Sequence, residues 1–212
     1  MQGSAAPLPD PVTVRPRSGI VLTFVIAAFA IAGMLTLTLQ GDGFAVVHYG
    51  LIAAAACYLC WLLFWYPCVT VDPSGVTVTN PARTYRVGWP ALANVETRYA
   101  LTLVTAAGKV VAWSAPAPGR YAASGTSPRE VRHMDPDNFT GGSVRIGDVP
   151  GSESGVAAWH VRRVWGLLRE AGYLDGPAVE GSGISSTWNM GPLLGGAALL
   201  GVGIVVAALL RG

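Results

Sequence analysis

The chain of 212 residues has three histidines and a few neighbouring carboxylates that could act as acids, bases or metal ligands. His48 lies in an apolar stretch, His160 in a stretch with helical periodicity, and His133 near Asp135 and Asp137. Acid–base catalysis needs such groups within hydrogen-bond reach of one another. No nucleophile elbow, zinc-protease motif or glycine-rich phosphate loop accompanies them. We therefore expect a protein that is not an enzyme and that uses no cofactor.

Two short clusters resemble metal sites in composition. Residues 135–138 read Asp-Pro-Asp-Asn and gather oxygen ligands, but no glycine and distal glutamate follow as in a calcium loop. Cys57 and Cys60 have the C-x2-C spacing, yet no second pair follows. A solvated turn and small apolar helix residues are the favoured interpretations, because free cysteine behaves as a small hydrophobe. We predict no metal site.

Arginine and aromatic residues form a second group of candidates, because both types are enriched where proteins meet. The candidate contacts to a partner or to lipid are Arg83, Tyr85, Arg86, Trp89, Arg162 and Arg163. Of these, Arg83, Tyr85 and Arg86 beside Trp89 are interpreted as a docking surface for a protein. The alternative that Tyr85 and Trp89 belong to the core or lie near the membrane remains open. The four arginines together are the candidate contacts of an anionic-lipid sensor.

Three segments, 20–39, 44–66 and 191–210, contain no Asp, Glu, Lys or Arg, in a chain that is 51% hydrophobic and 12% charged. About 20 apolar residues in a helix cross a hydrocarbon core of about 30 Å. We predict an integral membrane protein in which 19–66 forms a transmembrane hairpin and 191–210 a third transmembrane helix. A cleaved signal sequence is disfavoured, because 20–39 is longer than a signal's apolar region.

The charges that flank these segments predict an orientation. Arg15 and Arg17 precede the first segment and Arg83 and Arg86 follow the second, whereas the loop at 40–43 holds Asp42. The positive-inside rule then places the N-terminus and the region after the hairpin in the cytoplasm, and a third crossing places the C-terminus outside. One lysine against thirteen arginines, with abundant Ala, Gly and Pro, indicates a GC-rich bacterial genome. The predicted location is therefore the bacterial inner membrane.

The third segment has small residues at spacings of four, which let a second helix approach closely. These candidate helix-packing residues are Gly191, Gly195, Ala197, Gly201, Gly203 and Ala207. The partner helix would belong to the hairpin of the same chain or to another chain, so a membrane-protein partner or a homo-oligomer is expected.

Between the hairpin and the third segment, residues 68–114 alternate apolar and polar side chains and are divided by turn signals, which predicts a small antiparallel sheet. The stretch 115–155 is rich in Pro, Gly and Ser and is interpreted as a loop insertion, with a strand-like piece at 143–146. Residues 156–173 have helical periodicity, with Ser154 or Gly155 as the predicted cap. The arm at 1–18 is predicted to be disordered and 175–190 to be a linker.

The order of these elements resembles the bacterial pleckstrin-homology-like (PH-like) domains of small actinobacterial membrane proteins. A transmembrane hairpin is followed by a strand, the turn Asp-Pro-Ser-Gly at 72–75, the segment 80–87, and Trp89 ahead of the next strand. The late helix is similar to the one that closes the sheet in that family. The resemblance implies an α+β membrane protein with a cytoplasmic PH-like domain at 67–174.

The resemblance implies no catalytic site, and the fold serves lipid binding, peptide binding and scaffolding alike. The turn at 72–75 is acidic and has no base, which disfavours an inositol-lipid headgroup. A net charge of +2 with scattered basic residues does not suggest nucleic acid. The expected function is a scaffold or accessory module that docks a membrane protein complex. The alternatives are the anionic-lipid sensor and, more weakly, a small transporter component with His48 as its intramembrane candidate.

Overall fold

The structure is a computed structural model that describes residues 10–118, 139–140, 143–144, 152–174 and 183–209. In chain order its elements are β1 (Val12–Val14), α1 (Arg17–Leu39), α2 (Gly43–Cys60), β2 (Cys68–Asp72), β3 (Gly75–Thr79), β4 (Arg83–Gly88), β5 (Leu92–Glu96), β6 (Ala100–Thr105), β7 (Gly108–Pro116), β8 (Phe139–Thr140), β9 (Ser143–Val144), α3 (Glu153–Glu170), β10 (Ile184–Trp188) and α4 (Met190–Leu209). The chain is α+β and divides into two compact units, one that holds the sheets and α3 and one that holds the apolar helices.

The first sheet of the strand unit has five strands in the order β1-β2-β3-β4-β10. The predicted alternation is observed, because Val69 and Val71 of β2 lie opposite Val78 and Val76 of β3 and all four side chains are buried. Successive side chains of a strand point to opposite faces, so the intervening threonines lie on the other face. This valine-rich face forms one wall of the core.

A second antiparallel sheet has the order β5-β6-β7, so the region predicted as one sheet forms two. The break falls at a short 3-10 turn, Trp89–Ala91, between β4 and β5. Pro90 within this turn has no backbone N–H to donate and cannot continue a sheet ladder. Leu101 and Leu103 of β6 are fully buried and face the same core as the valines.

Helix α3 covers this core with a stripe of small and branched side chains, Ala157, Ala158, Val161, Val164 and Leu168, all buried. The helix begins earlier than the predicted 156–173, because the hydroxyl of Ser152 accepts a hydrogen bond from the Gly155 N–H at 3.0 Å. Ser152 therefore is the N-cap in place of the predicted Ser154 or Gly155. Gly172, with φ of 72°, follows the helix in the left-handed conformation that is common just after a helix ends.

Two predicted irregular segments contain strands at the edges of the first sheet. In the arm predicted as disordered, 1–18, β1 pairs with β2, and in the predicted linker, 175–190, β10 lies beside β4. Both predictions are corrected for these residues. Each strand has at most five residues and acquires its structure by pairing with a distant part of the chain, which local composition does not reveal. Residues 1–9 and 175–182 lie outside the described part.

The predicted loop insertion at 115–155 contains a two-stranded pair, in which Phe139 lies opposite Val144 and Thr140 opposite Ser143. The described part of the strand-like piece predicted at 143–146 is thus a strand, β9. Residues 115 and 116 still belong to β7, and 153–155 belong to α3. The remaining described insertion residues are 117–118 and 152.

Among the residues that the structure describes, two helices are long and apolar enough to cross a membrane, by length and composition. They are α1, and α2 with the π-helical turn Trp61–Trp65 that continues it. The Asp42 carboxylate caps α2 by accepting a hydrogen bond from the Ala45 N–H at 2.9 Å. Helix α4 packs against α2, and its apolar segment Met190–Val206 is shorter than the other two. The observed helices match the predicted hairpin closely, with α1 starting three residues earlier.

Candidate interaction surfaces

The turn between β2 and β3 is closed by its own acidic residue. The Asp72 carboxylate accepts hydrogen bonds from the backbone N–H groups of Ser74, at 2.8 Å, and Gly75, at 3.1 Å, and from the Ser74 hydroxyl. Arg86 of β4 donates to the same hydroxyl at 2.6 Å. A Cβ atom on Gly75 would lie 2.3 Å from the Val87 carbonyl oxygen, which explains the glycine. The turn is therefore a self-contained structural feature.

Trp89 is a core residue, so its assignment to a docking surface is corrected. Its side chain is 3% exposed and belongs to the core cluster. Its indole N–H donates a hydrogen bond to the backbone carbonyl of Asp72 at 3.0 Å, which satisfies the polar atom of a buried tryptophan. Tyr85 is partly buried against the same cluster. Both rings therefore pack in or against the core, as the alternative interpretation predicts.

The four candidate arginines contact four different neighbours. Arg86 binds Ser74, as described, and Arg162 of α3 donates to the Val95 carbonyl at 3.1 Å. Arg163 lies 5.1 Å from the ring of Trp159, and Arg83 lies 3.9 Å from the ring of Trp188. Arg86 therefore binds a turn residue and Arg162 binds a backbone carbonyl. Arg83 and Arg163 contact exposed tryptophans instead.

The outward side of α3 carries an exposed ridge formed by Val156, Trp159, Arg163 and Leu167. Trp159 is 52% exposed and Leu167 is 45% exposed. Residues three or four apart on a helix lie on one face, so these side chains are neighbours on the side opposite the buried stripe. The sequence prediction assigned one apolar stripe to this helix and missed the second. The spacing of four from Trp159 through Arg163 to Leu167 is the signal that reveals it.

His160 borders this ridge and packs edge-on against Trp159, with 4.8 Å between the ring centroids. Burial lowers the pKa of His160 below its usual value of 6.5, and the charge of Arg163 lowers the pKa further. Both effects disfavour the imidazolium form. The histidine is therefore held neutral near pH 7 and adds no charge to the ridge.

In the helical unit, Tyr58 of α2 connects to α4. Its hydroxyl donates a hydrogen bond to the Pro192 carbonyl at 2.8 Å, and its ring lies against Gly195 and Gly196. A Cβ atom on Gly195 would lie 2.6 Å from the tyrosine oxygen, so the absence of a side chain permits this contact. Gly195 is one of the predicted packing residues, whereas Gly196 was missed.

The other predicted packing positions have different surroundings. At Gly191, Gly201 and Gly203, an added Cβ atom would meet no other residue within 4 Å. Ala197 is exposed, and the side chain of Ala207 lies outside the described part. The close contact of Tyr58 with α4 therefore involves Gly195 and Gly196, whereas Gly191, Gly201 and Gly203 make no comparably close contact.

The hairpin itself packs closely where α1 begins. A Cβ atom on Gly19 would lie 2.3 Å from the Phe64 carbonyl oxygen, a backbone atom of the π-helical turn. Phe24 and Trp65 add a ring contact with centroids 5.3 Å apart. This close backbone approach is the membrane-type contact that small residues allow.

His48 lines an apolar cavity of about 420 Å³ between α2 and α4, together with aliphatic side chains of both helices. It stacks on Phe44 and contacts Tyr49. Among the residues that the structure describes, no three His, Cys, Asp or Glu side chains come together as metal ligands. His133, Asp135 and Asp137 fall outside those residues.

Comparison with known proteins agrees with part of the predicted resemblance. Neither the curated proteins nor the solved structures include a match to this chain. Residues 66–130 match the family model for the bacterial PH domain, starting directly after the π-helical turn that ends at Trp65. Strands β2 to β7 of the two sheets lie within this match, and the chain therefore contains a bacterial PH domain at these residues.

Proposed function

We propose that this protein is a non-enzymatic membrane scaffold, in which the apolar helices hold the PH domain at the cytoplasmic side of a bacterial inner membrane. Support comes from the two helices with the length and composition of membrane spans and from the PH domain that begins where the second one ends. The arginines on either side of the hairpin favour the cytoplasmic orientation. The third crossing, by α4, is part of the same proposal.

The docking function rests on one observation, the exposed ridge of α3. Tryptophan and arginine are the residue types most enriched among energetically important interface contacts, and an exposed tryptophan beside exposed leucine and valine is costly to leave in water. The ridge fits a protein partner that presents an apolar patch with a carboxylate facing Arg163. Because the chain would be anchored, the expected partner is itself a membrane protein with a cytoplasmic segment.

The test is capture from native membranes in mild detergent with the full-length chain as bait. The wild-type chain is expected to retain one partner in constant proportion, and the double variant Trp159→Ala and Leu167→Ala to bind it about 30-fold more weakly, the effect of losing a strong interface contact. The matched control is Trp113→Ala, which removes a tryptophan of similar exposure on β7 of the same unit. A bait recovered alone, or equal loss in both variants, contradicts the proposal.

A second candidate is binding of anionic lipid by the four arginines, Arg83, Arg86, Arg162 and Arg163. The bonds of Arg162 to Val95 and of Arg86 to Ser74 occupy N–H donors of both guanidinium groups, which leaves fewer donors for a lipid phosphate. The observation that favours a lipid contact concerns only one of these arginines, Arg83, which lies against the ring of Trp188.

A further inference from the structure

Arg83 and Trp188 form a close contact between a cation and an aromatic ring. The guanidinium carbon lies 3.9 Å from the ring centroid, compared with 5.2 Å for Arg98 on Tyr99 and 5.1 Å for Arg163 on Trp159. Beside the pair, the Asn189 N–H donates to the Ala82 carbonyl at 3.0 Å. This backbone hydrogen bond holds the chain segments that carry Arg83 and Trp188 next to each other. Both residues belong to the helical unit.

The position of Trp188 in the chain is that of a residue at a membrane surface. It is 54% exposed and lies two residues before Met190, where the apolar helix α4 begins. The headgroup region extends about 5 to 8 Å beyond each side of the hydrocarbon core. A ring this close to the start of a spanning helix lies at headgroup depth, where amphipathic aromatic residues are enriched.

The charge of Arg83 completes a site for an anion at that depth. Arg83 forms no ion pair with any carboxylate that the structure describes. Stacking on Trp188 uses the face of the guanidinium, whereas phosphate oxygens are bound by the N–H groups at its edge, often in bidentate geometry. Both contacts can therefore act on one arginine at the same time.

We propose that Arg83 and Trp188 bind the phosphate of an anionic phospholipid at the cytoplasmic membrane surface. Trp188 orients the guanidinium and occupies the boundary between hydrocarbon and headgroups, and Arg83 supplies the charge. The site depends on the membrane anchoring proposed above, but it does not depend on the partner or on the ridge of α3.

Native mass spectrometry of the full-length chain in mild detergent tests the site directly. Phosphatidylglycerol and phosphatidylcholine are added in parallel, and the fraction of protein that retains each lipid is measured. The wild-type chain is expected to prefer phosphatidylglycerol, and Arg83→Gln to lower its apparent affinity for that lipid about fivefold, the effect of one arginine near an anionic surface. Trp188→Ala is expected to act in the same direction, and Trp188→Phe to preserve binding.

The matched control is Arg98→Gln, which removes an arginine stacked on the exposed Tyr99 with the same change of net charge. Equal loss in Arg98→Gln and Arg83→Gln, or unchanged binding in Arg83→Gln, overturns the site while leaving the anchor intact. A wild-type chain that alkaline carbonate releases from membranes overturns both the anchor and the site.

Discussion

Asn80 shows how a single side chain joins the two sheets of the PH domain. It follows β3, and its amide N–H donates to the Val111 carbonyl at 2.9 Å while its amide oxygen accepts from the Trp113 N–H at 2.8 Å. The side-chain amide has the donor and acceptor of a peptide group and satisfies the backbone of β7 in the same way. The local sequence, Asn80 followed by Pro81, gives no indication of this contact with a strand about thirty residues away.

Replacing Asn80 by alanine removes both hydrogen bonds. We expect the free energy of unfolding to fall by about 1 to 2 kcal/mol, because the bonds are only partly shielded from water. Denaturant titration of the full chain in detergent measures this change. Asn94→Ala is the control, since Asn94 accepts a hydrogen bond from the N–H of its own neighbour, Val95. Equal destabilisation by both variants would show that Asn80 does not join the sheets.

His160 predicts a pH dependence of stability. Burial and Arg163 lower its pKa in the folded chain, so the unfolded chain binds the proton more readily. Stability from this residue is present above pH 6.5 and is lost as the pH falls through the lower folded-state pKa. His160→Gln is expected to reduce the loss of stability between pH 7.5 and pH 5.5, measured by denaturant titration at each pH. An unchanged loss would contradict the shifted pKa.

At the scale of elements, composition and periodicity predicted those whose structure is decided locally. The uncharged hairpin, the valine alternation of β2 and β3, and the buried stripe of α3 follow from hydrophobic burial, which a period in the sequence reveals. The strands β1 and β10 could not be predicted in this way, because each pairs with a distant strand. The partner of β1 lies more than fifty residues away in the chain, and that of β10 about a hundred. The exposed ridge of α3 was missed because a helix in a small domain is expected to be apolar on one side alone.

The two glycines of α1 test the packing of the hairpin, because they have opposite surroundings. An added methyl group at Gly19 would meet the Phe64 carbonyl oxygen, whereas one at Gly33 would meet no other residue within 4 Å. Alanine favours a helix over glycine by about 1 kcal/mol. We expect Gly33→Ala to keep or raise the midpoint of thermal unfolding in detergent and Gly19→Ala to lower it. A similar change in both variants would contradict the close contact.

For the whole molecule, the order of the apolar segments and the PH domain along the chain could be predicted, whereas the contacts of individual site residues could not. The long apolar segments and the order of the domains are properties of composition and motif order. Two helices have the length and composition of membrane spans, and residues 66–130 match the bacterial PH domain model. The site residues were harder to predict, because arginine and tryptophan serve cores, turns and surfaces alike. Trp89 and Trp159 are residues of the same type, yet the side chain of Trp89 is buried in the core and that of Trp159 is exposed.

Extraction of membranes with alkaline carbonate tests whether the helical unit anchors this PH domain in a membrane. This treatment releases proteins held at the surface and leaves proteins that cross the bilayer in the pellet. We expect the full-length chain to remain in the membrane pellet and to enter solution when detergent is added. Recovery of the chain in the carbonate supernatant, without detergent, would contradict the proposed membrane anchoring.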